Sequence, residues 1–185
     1  MSERLTHTDL RFDGGAPWLD FLATRGYPFS DTPAERMGDV ARLAEFLDRV
    51  GAGPAAPVSD ADVAAAHGLR ESLRAVALAV VDDRAAPDAE ALKAVQAWAD
   101  RDAAPLVLVR TPRLARRRPD DAAEALARLA RAALVDLTGP RVDQLHACAD
   151  PICRKLFVDP GGRRKWCSAQ TCGNRARVRA HRSRA

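Results

Sequence analysis

All four cysteines of this 185-residue chain fall within residues 148–185, as two pairs of equal spacing, Cys148-x4-Cys153 and Cys167-x4-Cys172. A short loop between paired cysteines lets both sulfurs face one ion, and four soft thiolates favour zinc over magnesium or calcium, with iron the alternative that such a donor set also takes. Free thiols buried as small hydrophobes are a poor alternative, because the flanks are polar and charged. The start "MSERLTHTDLRFDGG" lacks the apolar stretch of a secretory signal, and runs such as "AVALAVV" and "PLVLV" are too short to cross a bilayer. A soluble, cytoplasmic chain with no membrane partner is therefore expected. In that reducing compartment closely spaced cysteines serve as metal ligands more often than as disulfides. Zn2+ held by Cys148, Cys153, Cys167 and Cys172 is the expected cofactor. A closed four-thiolate site leaves no position for water, so its expected role is structural, replacing a core that so few residues cannot build. Phe157 and Trp166 are the expected apolar supports, and His146 is not needed as a ligand.

Charge divides along the same line. Residues 148–185 hold ten Lys/Arg and two Asp/Glu, a net +8, which leaves −4 on residues 1–147. Such asymmetry is expected of an anion-binding module attached to an acidic body.

The body reads as helical, since its apolar content is rich in alanine and aromatics are only 5% of the chain. "RFDGG" reads as a short strand ending in a turn, and "APWLDFLATRG" as a brief helix closed by Gly26. Thr32, Pro33 and Glu35 read as the capping box of a helix ended by Gly51, with Met37, Val40, Ala44, Leu47 and Val50 on one face. Ser59 and Asp62 cap a helix to about Asp82, with Leu69, Leu73, Val76 and Val80 buried and Gly68 as a weak point. Further helices start at Pro87–Asp88 and at Asp121–Glu124, the latter ended by "TGP". "PLVLVR" reads as a buried strand, and "TPRLARRRPD" as a second weak strand or loop. The fold class is mainly α with a small β element (α+β): a helical domain over residues 1–140 and a small zinc module over 141–185.

Within the module, "KLFVDPGGRRKW" reads as a hairpin with Arg163, Arg164 and Lys165 on its return strand. Ser168 reads as the N-cap of a helix whose first turns hold Cys172. Knuckle, hairpin and ligand-bearing helix make a treble-clef-like plan. On the helix, Arg175, Arg179 and Arg182 share one face, while Arg177, His181 and Arg184 form a stripe nearly opposite. These eight basic residues are the candidate nucleic-acid contacts, with Arg175 and Arg179 the first candidates for base edges. Gly173 suits close packing near the metal, and Asn174 a turn or cap.

The tail resembles the CGNR zinc-finger family, in Cys172-Gly173-Asn174-Arg175, in Leu156-Phe157 with Asp159, in Arg163-Arg164 with Trp166-Cys167-Ser168, and in the final "HRSR". The body is similar to the helical ABATE domain in "GG--WLDFLATRG". What the resemblance implies is bacterial transcription control through DNA binding. The reading is thus a DNA-binding regulator whose helical body dimerises or senses a small-molecule effector. The alternative is a zinc-stabilised protein–protein or RNA-binding adaptor. An enzyme with a pocket around Asp20 and Arg25 is the weakest reading, because no catalytic constellation has recognisable spacing.

Overall fold

Side-chain caps set the limits of the long helices. In the computed structural model, which describes residues 9–83, 86–102, 108–110 and 114–183, Ser59 and Asp62 form a complete capping box at the start of α3 (Asp60–Asp82). Asp88 and Asp121 accept the Ala91 and Glu124 amides to open α4 (Ala89–Ala99) and α5 (Ala122–Thr138). These three helices begin where the sequence places them, α3 and α5 also end there, and Gly68 does not interrupt α3.

Before α3 the chain departs from expectation. The helix α2 (Val40–Arg49) is capped by Asp39, not Thr32. Its buried face is Leu43, Phe46 and Leu47. Ala34–Glu35 instead form strand β2, paired antiparallel with β1 (Arg25–Gly26). The reason is a stronger partner for the carboxylate: Glu35 accepts both Arg70 Nη atoms, at 2.8 and 2.6 Å. A bidentate guanidinium outcompetes a local cap. The brief helix α1 (Pro17–Leu22) is present but ends at Leu22, with Gly26 in β1, and "RFDGG" forms no strand.

Helices α3, α4 and α5 pack on one another, and α1 packs against α3 and α5. Trp18, Leu19, Phe21 and Leu22 are almost wholly buried at the centre, where they meet Leu69, Leu73, Leu126 and Leu129. Trp18 anchors the core and donates its Nε1 to Asp136 at 2.7 Å. Strands β3 (Leu108–Arg110) and β4 (Leu114–Arg116) form an antiparallel pair; the start of "PLVLVR" and the burial of both strands lie outside the described residues. Strands β5 (Leu145–Ala147) and β6 (Leu156–Val158) form another, with His146 opposite Phe157. Leu145 and Leu156 belong to the main core, and Val158 N donates to Gly14 O at 2.8 Å. The cysteine-bearing segment is therefore built onto the body through β5 and β6.

Two arginines lie beside the apolar stripe of α3. Arg70 and Arg74 are 1% and 6% exposed, tolerable only because their donors are used. Arg70 donates to Thr24 Oγ1, Glu35 and Glu71, and Arg74 to Glu71 and Leu22 O. Arg36 donates to Ala23 O at 2.6 Å. Cations thus satisfy the carbonyls at the end of α1, the negative end of its dipole.

Replacing Arg70→Met should destabilise the protein by about 2 kcal/mol, since it removes charge-assisted hydrogen bonds to the half-exposed carboxylates of Glu35 and Glu71. A urea titration checks this; a loss near zero would contradict it. Burial pushes the Glu35 carboxyl up, but the hydrogen bond and charge of Arg70 outweigh burial and hold it below the ordinary glutamate value. A depressed folded value adds stability above the unfolded pKa, and that stability is lost as pH falls through the folded value. The gap between wild type and Arg70→Met should therefore shrink below about pH 4, the ordinary glutamate range.

Candidate metal centre and nucleic-acid interface

Strand pairing brings the first cysteine pair together. Cys148 follows β5 and Cys153 shortly precedes β6, so the ladder returns the chain to its starting point. Cys153 N and Arg154 N both donate to Asp150 O at 3.0 Å, and Cys148 N donates to Lys155 O at 2.9 Å. Arg154 takes a left-handed backbone (φ 44°), uncommon for a residue with a side chain. Its guanidinium is fixed by Asp82 at the end of α3.

The second pair is set by a cap. Ser168 Oγ accepts the Thr171 amide at 3.2 Å and opens a π-helical turn, Ala169–Gly173, which carries Cys172 and runs into α6 (Asn174–Arg182). A Cβ on Gly173 would lie 3.2 Å from Trp166 Cδ1, so glycine gives the indole its place beside the turn, as expected. Asn174 is helical and does not act as a cap.

The four sulfurs lie within 4.8 Å of one another, all buried. Cys167 Sγ is 3.7 Å from Cys153 Sγ and 3.7 Å from Cys172 Sγ. Four sulfurs at about 2.3 Å from a tetrahedral zinc are about 3.8 Å apart, so donor set and spacing fit the ion. His146 faces Asp159 O at 3.2 Å and stays outside the cluster. Phe157 is fully buried against the cysteines, with Trp166 and Tyr27 packed around them. A dication shared by the four lets every sulfur sit as a thiolate at this spacing.

A profile described as "Putative stress-induced transcription regulator", ABATE, matches residues 15–140. The chain belongs to the ABATE family. The CGNR zinc-finger profile matches residues 144–185, and with the four clustered cysteines it points to a bound zinc ion. No curated protein matches the chain.

Around this finger of the ABATE protein the cations have different occupations. Arg175 Nε lies 3.3 Å from Asp150 Oδ2, and Arg179 reaches Oδ1 at 3.2 Å. Asp150 is wholly buried, and its Oδ2 meets Arg175 as a charge contact without hydrogen-bond alignment. Arg175 also lies over Tyr27, 4.5 Å from the ring centroid. Burial pulls its pKa down, but Tyr27 and Asp150 outweigh burial and raise it. These two arginines, the first candidates for base contact, hold α6 onto the knuckle. Arg164 donates to Cys167 O at 2.9 Å and lies over Phe157. Lys155 is buried against Asp13, and burial followed by Arg11 pushes its ammonium below the ordinary lysine value.

The expected hairpin return is corrected: β6 pairs with β5, and residues 163–165 run as an exposed irregular segment after the turn at Gly162. The turn forms because Asp159 accepts the Arg164 amide at 2.6 Å. Arg163, Lys165 and Trp166 line an open groove of about 630 Å³ together with Arg11 and Asp13. Arg177 and Arg182 are exposed on α6, and Arg184 lies outside the described residues. Asp20 accepts the Gly14 amide, and Arg25 pairs with Glu71.

Sequence reading missed Asp150, Asp82, Asp13 and Tyr27 as parts of the site. One signal was available: Asp150 and Asp159 are the only acids after Cys148, and each has a dedicated structural partner.

Cys172→Ser should abolish stoichiometric zinc binding and unfasten residues 159–183, while β5 and β6 stay protected by the body core. Metal analysis with hydrogen exchange checks this; retained zinc would contradict it. Asp150→Asn should keep zinc yet speed amide exchange across α6, and unchanged exchange would show that the clamp does not hold the helix.

Proposed function

We propose that this ABATE-family protein is a cytoplasmic, DNA-binding transcription regulator whose zinc finger makes the DNA contact. In this proposal residues 1–140 form the regulatory body, which pairs two copies or senses a small-molecule effector, and residues 141–185 form the contact module. Cys148, Cys153, Cys167 and Cys172 would hold the zinc. That ion supplies rigidity, and the chain's own side chains do the recognition.

One observation carries the reading. After the structural pairings are removed, Arg163, Arg177 and Arg182 remain exposed on the finger, beside Lys165 on the Trp166 ring, and no acid follows Asp159. Clustered cations without neutralising acids are the electrostatic footprint of a phosphate-binding surface. An enzyme finds no support here, since both matched families are a regulator and a zinc finger. The RNA-binding alternative would use the same groove, with Trp166 as a stacking surface.

The test is binding of the zinc-loaded chain to duplex DNA and to single-stranded RNA over a salt series. Duplex affinity should fall linearly on logarithmic axes, and Arg163→Ala should reduce the slope by about 0.9, one phosphate contact. An unchanged slope would remove Arg163 from the interface. Absence of salt-dependent duplex binding would end the DNA reading, and preference for single-stranded RNA would favour the adaptor.

A further inference from the structure

We infer that one stripe of α6, formed by Asn174, Arg177, Val178 and His181, reads base edges in the DNA major groove; this rests on the DNA-binding reading above. The four positions are spaced i, i+3, i+4 and i+7, so they share one helix face. At 3.6 residues per turn that face is about 130° around the helix from Arg175 and Arg179. The clamp on Asp150 turns the Arg175–Arg179 stripe toward the cysteine knuckle. The other stripe consequently points outward. All four of its residues are exposed, and their side chains have no polar or ring partner among the described residues.

The composition of the stripe argues for base reading over phosphate grip. Apart from arginine and alanine, α6 contains only Asn174, Val178 and His181, and all three join Arg177 on this face. Phosphates present one chemistry, for which arginine alone suffices, whereas base edges present several. An amide matches the N6 and N7 of adenine, a guanidinium the O6 and N7 of guanine, and an isopropyl group the methyl of thymine. His181 adds an imidazole able to donate or accept. Val178 is 43% exposed and touches no core, so packing gives it no reason to be there. Zinc, Ser168 and Asp150 fix the base of the helix, which a reader needs if side chains are to meet set base pairs.

The experiment selects bound duplexes from a random pool with the full zinc-loaded chain, then repeats the selection with single variants. Arg177→Ala and Val178→Ala should each relax preference at one or two base-pair positions, by about tenfold for Arg177→Ala, while the remaining positions keep their bases. His181→Ala, farthest from the metal, provides a variant that leaves the cysteine turn untouched. Arg163→Ala should weaken all duplexes alike and leave the selected motif unchanged. Stripe variants that keep the wild-type motif, or that lose affinity equally for every sequence, overturn the inference. A wild-type chain that binds duplex without sequence preference overturns it too, while leaving DNA binding intact. A wild-type chain with no salt-dependent duplex binding overturns both.

Discussion

Four sulfurs brought within 4.8 Å of one another are the constraint from which the C-terminal part of this protein follows. A dication shared by the four would tie together the β5–β6 ladder, the irregular segment after Gly162 and the turn that starts α6. Few apolar side chains assist, chiefly Phe157, Trp166 and Tyr27. The metal is thus the core of the finger, and its loss is a folding event.

That centre also explains part of the arginine excess. Four thiolates around one dication carry a net charge of −2, which a partly buried site must balance. Arg164 bonds the Cys167 carbonyl, Arg154 bridges to Asp82, and Arg175 and Arg179 grip Asp150 beside the sulfurs. Arg154 and Lys155, through Asp82 and Asp13, also fasten the finger to the body. Counting basic residues would therefore overstate the contact surface of the proposed regulator, because arginines with structural partners and arginines without them look alike in a sequence. What distinguishes them is geometry: which face of α6 the buried Asp150 draws inward.

The same distinction sets what the sequence made legible. Spacing alone marked the cysteine cluster, because ligand geometry dictates it locally. The starts of α3, α4 and α5 were readable from Ser59, Asp88 and Asp121, whose caps act within one helical turn. The failures share a cause in distant partners. Thr32, Pro33 and Glu35 had the form of a capping box, but Arg70, thirty-five positions away, takes Glu35 into a strand. The Arg163–Lys165 segment looked like a returning strand, but β6 had already found β5. Arg175 and Arg179 have helical spacing suited to a groove, and what that spacing did not reveal is the buried Asp150 that both contact. The resemblance to ABATE, by contrast, was legible in "GG--WLDFLATRG", and the match over residues 15–140 bears it out.

Combined, these features describe a helical body onto which a metal-centred finger is built through β5 and β6, leaving one face of α6 and the side chains of Arg163 and Lys165 uncommitted. Its central claim is that DNA meets those uncommitted surfaces and not the clamped ones. The most direct measurement is a nuclear magnetic resonance titration of the zinc-loaded, nitrogen-labelled chain with a selected duplex. The account predicts perturbed signals at Arg163, Lys165, Asn174, Arg177, Val178 and His181, with the Arg175 and Arg179 side-chain signals still reporting the Asp150 contact. Perturbations confined to α2–α5, or release of the two clamped arginines onto the DNA, would contradict it.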